Sequence, residues 1–156
     1  LKQESKKNGT VGCVVLDKQG NLTAGTSTGG MFKKRWGRIG DSPVIGAGTY
    51  ADNNSCAVSC TGHGEYFIRH AVAFDVCARY KYLKESVEKA ADYIIHTELN
   101  TNAGNGGLIA VDKLGNIAMP YNSGGMFRGF LYKEKGSPEI KKGCGIGKKI
   151  VVVGEK

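Results

Sequence analysis

Apolar residues run without a break from position 11 to position 16 and stop at a polar stretch that contains Gly20. Positions 22–28 then hold only small, apolar and hydroxyl residues. The pattern predicts a buried strand, a tight turn and a returning strand, which together form a β-hairpin. A similar pattern recurs 95 positions later, where an apolar run at 107–111 meets the turn sequence 112–116 and continues through 117–121.

The sequence Gly-Gly-Met-Phe follows both hairpins, at 29–32 and at 124–127. One interpretation is a pseudo-symmetric pair of hairpins in one sheet. The other is that Asp-Lys-x-Gly-Asn is good turn chemistry that occurs twice. The shared tail favours the first interpretation, although two copies are too few for a repeat protein.

The middle of the chain changes from a strand pattern to a helical one. Residues 56–61 predict a third strand that leads into Gly62. Apolar positions then recur at 67, 70–71, 74 and 77–78, and again at 87, 90–91 and 94–95, which predicts two amphipathic helices. A loop at 99–106 and a weak terminal strand near 150–153 complete the order.

This order predicts the α+β fold class, with a largely antiparallel sheet and both helices on one face. The other face of that sheet would lack cover, so we expect a partner layer. The 156 residues are 40% hydrophobic and 23% charged, a balance typical of one globular domain.

No apolar run approaches the roughly 20 residues that span a bilayer, so we expect no membrane partner. The formal charge of +8 comes partly from clusters at 33–35 with Arg38, at 141–142 and at 148–149. These clusters are short and no aromatic-interleaved stacking motif accompanies them. They predict a solvated face or attraction of small acidic substrates, and no nucleic-acid partner.

The five cysteines are an odd number without the regular spacing of a disulfide framework. Reduced, buried thiols are the favoured interpretation, which supports a reducing, cytoplasmic location. Cys56, Cys60 and His63 lack a complete zinc-ligand spacing, so we expect no metal site, and no cofactor motif is present.

Gly9 and Thr10 place a hydroxyl residue between a polar tail and the first predicted strand. This arrangement suits autoproteolysis, in which Thr10 Oγ attacks the Gly9 carbonyl and water then releases a new amino terminus. An α-amine titrates near about 7.7–8, so the freed amine of Thr10 could act as the base for its own hydroxyl. A threonine at a strand start is equally explained by the steric preference of threonine for strands.

Several longer motifs add to this junction. They are Gly9-Thr10-Val11-Gly12, Thr26-Ser27-Thr28-Gly29-Gly30, the segments 37–43 and 46–51, Thr61-Gly62-His63-Gly64-Glu65, and the segment 107–111. In this order they closely resemble the N-terminal nucleophile family of isoaspartyl peptidases and plant-type asparaginases. The resemblance covers Gly9 to about Phe130.

The resemblance implies a role for each matching residue. Thr10 would be the nucleophile and Thr28 its hydroxyl partner, while Thr61 and Gly62 would form the oxyanion hole. Arg38 would bind the substrate α-carboxylate, Asp41 its α-ammonium, and Gly64 would let the chain approach the substrate closely. From pattern alone, Thr28 could equally be an ordinary strand threonine, and Arg38 with Asp41 a surface ion pair.

The family implies an αββα sandwich built from two subunits that are cut from one precursor. Residues 1–9 would then be a flexible tail of the upstream α subunit and 10–156 the nucleophile-bearing β subunit, with no clear counterpart for 132–156. The implied partners are that α subunit and a second copy in an (αβ)2 assembly. No cofactor is implied.

The implied reaction cleaves isoaspartyl peptides or L-asparagine through a threonyl ester and releases aspartate. Two alternatives stay open. One is a glycosylasparaginase-type hydrolase, which would share the nucleophile and the Arg38 and Asp41 pocket. The other is a non-catalytic basic half-domain that binds acidic partners through 33–38.

Overall fold

A computed structural model of the chain describes residues 9–133 and 140–145, and the backbone of 151–154. The predicted flexible tail lies outside the described residues except for Gly9. The chain divides into two compact units, Leu1–Asn122 and Ser123–Lys156. In the described part of the chain, no helix is both long and apolar enough to cross a membrane.

The first unit contains two antiparallel sheets and a set of short helices. Its elements are β1 (Thr10–Leu16), β2 (Leu22–Thr28), β3 (Thr49–Ala51), β4 (Cys56–Gly62), α1 (Gly64–Arg69), α2 (Val72–Ala78), α3 (Val87–Tyr93), α4 (Leu99–Thr101), β5 (Gly106–Asp112) and β6 (Ile117–Ala118). Strands β1 and β2 form a two-stranded sheet, and β3-β4-β5-β6 form a four-stranded sheet in that order. The predicted mixed fold with antiparallel strands is confirmed.

The first predicted helix is divided in two. Ala71 adopts a left-handed conformation with φ of 44° between α1 and α2. The amides of Ala73 and Phe74 then donate to the carbonyls of Ala47 and Gly46, at 3.1 and 2.8 Å. The loop before β3 therefore satisfies the first amides of α2, which a periodicity argument does not reveal. The second predicted helix continues through a π-helical turn, Ile94–Glu98, into α4, so it takes up part of the predicted loop.

The main core lies between the helices and one face of the four-stranded sheet. Side chains alternate along β4, so Cys56, Val58 and Cys60 face the helices and are at most 2% exposed. Ala57 faces the other way and packs with Val111 of β5.

The hairpin β1–β2 covers this second face of the four-stranded sheet. Val14, Leu16, Leu22 and Ala24 pack against the Ala57 and Val111 side of the sheet. The interpretation of two hairpins in one sheet is therefore wrong, because β1–β2 and β5–β6 belong to different sheets. The prediction that β1 is fully buried is also wrong, since the hairpin's outer face leaves Val11 70% exposed.

The recurring turn sequence has a local explanation. Asp17 Oδ1 accepts the amides of Gln19 and Asn21, both at 2.8 Å, and its Oδ2 accepts Asn21 Nδ2 at 2.8 Å. Asp112 makes the same three bonds to residues 114 and 116, at 2.8, 2.9 and 2.8 Å. Gly20 and Gly115 follow with φ of 88° and 91°. The repeat thus reflects one kind of turn used twice.

The hairpin docks closely on the sheet because β1 carries a glycine at the contact. A Cβ on Gly12 would lie 2.1 Å from Ser59 Oγ and 2.9 Å from Ser59 Cβ. We expect Gly12→Ala to lower the free energy of unfolding by about 1–3 kcal/mol, because the hairpin must move away from β4. Denaturant unfolding measures this loss.

Gly25 is the matched control, since it lies in β2 and a Cβ there would have nothing within 4 Å. Gly25→Ala should change the free energy of unfolding by no more than about 0.5 kcal/mol. Equal losses in the two variants would contradict the docking role of Gly12.

The second unit is a three-stranded antiparallel sheet of β7 (Arg128–Lys133), β8 (Ile140–Gly145) and β9 (Val151–Gly154). The predicted terminal strand is confirmed as β9. Strands β7 and β8 were not predicted, because their many lysines and glycines hide the alternation that marks a strand.

Candidate active site

Thr10 and Thr28 lie at the open end of the first hairpin and face each other. The strand register pairs them directly, and Thr10 Oγ1 donates to Thr28 Oγ1 at 3.1 Å. The amide of Gly30 donates to the same Thr28 oxygen at 2.9 Å, which fixes its position. The hydroxyl pair that the resemblance implies is therefore present as a contact.

Thr61 and Gly62 end β4, and the Thr61 side chain lies on the face of the sheet that meets the hairpin. Thr61 follows Ala57 and Ser59 along the same face. The Leu22 amide donates to Asn53 and Thr26 contacts Ser59, so β2 runs in the same direction as β4. Thr28 and its strand partner Thr10 therefore come to the same end of the two stacked layers as Thr61.

Gly62 occupies a position where only glycine fits. Its φ is 152°, and a Cβ would lie 2.4 Å from the Asn105 carbonyl oxygen and 2.7 Å from Phe67 Cε2. The amide of His63 donates to the same Asn105 oxygen at 2.9 Å. The turn from β4 into α1 is thus fixed against Asn105, the residue just before β5.

A chain of hydroxyl groups connects the hairpin to the rest of the site. Thr26 lies two residues before Thr28 on the same face, and its Oγ1 is 2.6 Å from Ser59 Oγ. Thr49 Oγ1 donates to Thr26 Oγ1, and Thr26 also contacts the Gly48 carbonyl at 3.3 Å. The half-buried Thr26 and Thr49 and the buried Ser59 fix β2 against β3 and β4, which in turn fixes the Thr10–Thr28 pair.

Asp41 is a buried carboxyl group, only 6% exposed, in the loop before β3. Its Oδ2 has no hydrogen-bond partner within the described part of the chain. Burial raises the pKa of Asp41, and the charge of Arg38 opposes that rise. A buried carboxylate with a free oxygen is suited to bind a cation from outside.

Two glycines leave the space that Asp41 occupies. A Cβ on Gly48 would lie 2.8 Å from Asp41 Oδ2, and a Cβ on Gly64 would lie 2.9 Å from Asp41 Oδ1. Gly64 therefore lies against Asp41, and its role in letting the chain approach the substrate closely stays a prediction. The first residue of α1 and the loop carrying Asp41 meet at this point.

Arg38 is held by a residue that the sequence reasoning missed. Glu65 Oε1 accepts from Arg38 Nε at 2.8 Å and Oε2 accepts from Nη2 at 3.0 Å. This fork-to-fork pairing raises the pKa of Arg38 and lowers the pKa of Glu65. Glu65 is the last residue of the motif that begins at Thr61, and this position next to predicted site residues is the sequence feature that could have identified it.

We expect Glu65→Gln to raise KM about tenfold and to leave kcat within about twofold, because a less firmly held guanidinium binds a carboxylate more weakly. Steady-state kinetics on an aspartyl substrate measure both constants. Glu85→Gln is the control, since Glu85 accepts from Arg79 Nη1 at 3.2 Å in the helical layer, and it should change neither. A fall in kcat with constant KM in Glu65→Gln would contradict this role.

The loop between Thr28 and Arg38 carries aromatic residues among its cations. Lys33 Nζ lies 5.6 Å from the Phe32 ring centre, Arg35 Cζ lies 5.4 Å from that of Trp36, and Trp36 is 92% exposed. The basic cluster is thus interleaved with aromatic residues, contrary to the expectation from the sequence.

Among the described residues, no three His, Cys, Asp or Glu side chains lie together as metal ligands would.

Comparison with known proteins identifies a family and several relatives of this chain. The Asparaginase family model matches residues 1–140. The chain is 54% identical over 129 residues to an isoaspartyl peptidase of Salmonella typhimurium, covering 83% of this chain and 41% of the relative. It is 49% identical over 143 residues to an isoaspartyl peptidase of Escherichia coli, covering 85% and 44%.

A mouse isoaspartyl peptidase/L-asparaginase is 47% identical over 125 residues, which cover 78% of this chain and 37% of the mouse protein. The chain therefore spans about two fifths of the length of the curated relatives it matches. With the motifs in their predicted order and the family model matching most of its length, the chain belongs to the asparaginase family that includes the isoaspartyl peptidases.

Proposed function

We propose that this chain is the nucleophile-bearing half of an amidohydrolase that activates itself by cleavage before Thr10. Its substrates would be β-aspartyl (isoaspartyl) peptides, L-asparagine, or both. The observation that carries the proposal is the 3.1 Å hydrogen bond between Thr10 and Thr28 at a Gly-Thr strand start. Relatives named isoaspartyl peptidase support the substrate class.

Self-cleavage would begin with attack of Thr10 Oγ on the Gly9 carbonyl carbon. Thr28 accepts the proton of Thr10 in its hydrogen bond, which directs a lone pair of Thr10 Oγ away from Thr28. The bond between the Gly9 carbonyl carbon and the Thr10 nitrogen breaks, the hydroxyl proton passes to that nitrogen, and water hydrolyses the resulting ester to leave Thr10 with a free amine. That amine then serves as the base, since an α-amine ordinarily has a pKa of about 8.

In turnover, Thr10 Oγ attacks the side-chain carbonyl of the substrate, and its proton passes through the Thr10 amine to the leaving ammonia or peptide amine. A β-aspartyl ester forms and water hydrolyses it to aspartate. Thr61 and Gly62 would stabilise the negative oxygen that develops at each attack.

The charged pocket would bind the two α-groups of the substrate. Arg38 presents the part of its guanidinium that Glu65 leaves free, and a Cβ on Gly40 would lie 3.0 Å from Arg38 Nη1, which places this nitrogen beside the Asp41 loop. Asp41 would bind the α-ammonium through a carboxyl group whose Oδ2 is buried and has no hydrogen-bond partner among the described residues. Opposite charges on adjacent residues suit the α-carboxylate and α-ammonium of one aspartyl group.

The working enzyme would be an αβ heterodimer that pairs again as (αβ)2, with the α subunit supplied by the upstream part of the precursor. The matched residues cover only 41% and 44% of the two bacterial relatives, which leaves room for an α subunit in the rest of the precursor. The chain is expected to be inactive without it.

Co-expression with the upstream segment tests the proposal. We expect amino-terminal sequencing to find Thr10 at a new terminus, together with ammonia release from L-asparagine or aspartate release from a β-aspartyl dipeptide. An uncut chain with no turnover would overturn the proposal. Full activity of the chain alone would overturn the heterodimer.

Assays on the same co-expressed protein distinguish two other functions from the proposed one. Faster turnover of glycosylated asparagine than of a β-aspartyl dipeptide would indicate a glycosylasparaginase. The exposed loop with Phe32, Trp36 and its cations favours, as the second candidate, a basic module for acidic partners. Binding of an acidic peptide by an uncut, inactive chain would support that module.

A further inference from the structure

We propose that Cys56 and Cys77 form a disulfide bond that joins β4 to α2. Their Sγ atoms are 2.6 Å apart. This is closer than two non-bonded sulfur atoms approach without repulsion. A disulfide places its sulfurs about 2.05 Å apart, so closing the bond requires a movement of only roughly 0.5 Å.

The surroundings of the two sulfurs favour a fixed pair. Cys56 is fully buried and Cys77 is 2% exposed. Ser55 Oγ donates to the Cys77 carbonyl at 2.8 Å and lies 3.6 Å from Cys56 Sγ, so one hydroxyl ties both backbones together. With Cys77 as hydrogen-bond donor, the pKa of the Cys56 thiol is lowered, which makes Cys56 the better nucleophile of the two.

The other cysteines do not share this arrangement. Cys60 lies on the same face of β4 and is buried, and burial raises its pKa well above the ordinary range. Cys13 and Cys144 are exposed. The prediction of reduced, buried thiols therefore remains the expectation for Cys60, and the new inference concerns Cys56 and Cys77 alone.

A low-molecular-weight disulfide such as glutathione disulfide supplies the oxidant. One protein thiolate attacks a sulfur of glutathione disulfide and expels one glutathione thiolate. The thiolate of the other cysteine attacks the mixed disulfide and expels the second. The protein dithiol loses two electrons and two protons, and glutathione disulfide becomes two molecules of glutathione. Because both sulfurs are buried, the exchange needs local opening of the contact between α2 and β4.

The bond would close a loop that contains part of the candidate site. Residues 57–76 lie between the two cysteines, and they include Thr61, Gly62 and Glu65. A cross-link restricts the unfolded chain and fixes the ends of the enclosed segment. We expect the oxidised protein to unfold about 6–12 °C above the reduced protein.

The test incubates the native protein, co-expressed with its upstream segment, in glutathione buffers from reducing to oxidising ratios until the thiol count is constant. Each sample is quenched, denatured, alkylated and measured by mass spectrometry. Under oxidising conditions we expect a peptide linking Cys56 to Cys77, with each of the other three cysteines either alkylated or carrying glutathione. Reduction before alkylation should give five alkylated cysteines. Absence of the linked peptide under every condition, or a linkage between other cysteines, would overturn the proposal.

Two variants check the assignment. Cys60→Ala should retain the linked peptide, because Cys60 takes no part in the bond. Cys56→Ala should give no cross-linked peptide within this chain and should lose the difference in unfolding temperature between the two conditions. The readouts are thiol counts and unfolding temperatures, so the result does not depend on the proposed amidohydrolase activity.

Discussion

Replacing Thr10 with alanine is expected to leave the Gly9–Thr10 bond intact and to lower turnover by about 10⁴-fold or more. The alanine has no hydroxyl to attack Gly9, and without that cleavage no amine is freed to act as base. The hydrogen bond to Thr28 is lost at the same time. Intact mass shows the uncut chain, and ammonia or aspartate release measures the turnover.

Two variants separate the nucleophile from its surroundings. Thr10→Ser keeps the hydroxyl and should still cleave, although more slowly, because the serine side chain has more rotational freedom. Thr28→Val keeps the shape of the partner and removes its oxygen, so it should slow cleavage without abolishing it. Cleavage at Gly9 in Thr10→Ala would show that Thr10 is not the nucleophile.

Local features of this fold could be predicted from the sequence because they depend on neighbouring residues. The turn at Asp17 is set by hydrogen bonds within five residues. The strand leading into Gly62 and the helix after it follow from the local pattern of apolar residues. The resemblance implied that Thr10 and Thr28 are partners, and the hairpin brings them together because its register pairs the first residue of β1 with the last residue of β2.

Other features depend on contacts between distant segments, which periodicity does not contain. The break at Ala71 reflects carbonyls supplied from Gly46 and Ala47. The placement of β1–β2 across the sheet depends on Gly12 meeting Ser59, 47 positions away. The same limit applies to Glu65, whose pairing with Arg38 spans 27 positions and appears only when the loop and α1 are folded together.

Replacing Asp41 with asparagine is expected to lower kcat/KM by about 10²- to 10³-fold and to make the protein more stable at neutral pH. The loss of activity follows from removing the buried charge that would pair with the substrate ammonium. Kinetics on a β-aspartyl dipeptide measure it. An unchanged kcat/KM would show that Asp41 does not bind the substrate.

The gain in stability follows from the direction of the pKa shift. Burial raises the pKa of Asp41 in the folded protein, so the folded state binds this proton more tightly than the unfolded chain does. The contribution of Asp41 to stability is then fully present below its unfolded pKa and is lost as the pH rises through its folded pKa. The stability difference between Asp41→Asn and the unchanged protein should therefore be large at pH 7–8 and vanish in acid.

Asp52 provides a control of opposite sign. Its pKa is lowered, first by the amide of Asn54 and then by Lys81, whose Nζ lies 2.9 Å from Oδ2. Its contribution to stability is present above the unfolded pKa and is lost as the pH falls through the folded pKa. Asp52→Asn should thus destabilise the protein at neutral pH without changing kcat/KM. Opposite shifts in unfolding temperature for the two substitutions would indicate that Asp41 is kept charged at a cost in stability, as a binding site requires.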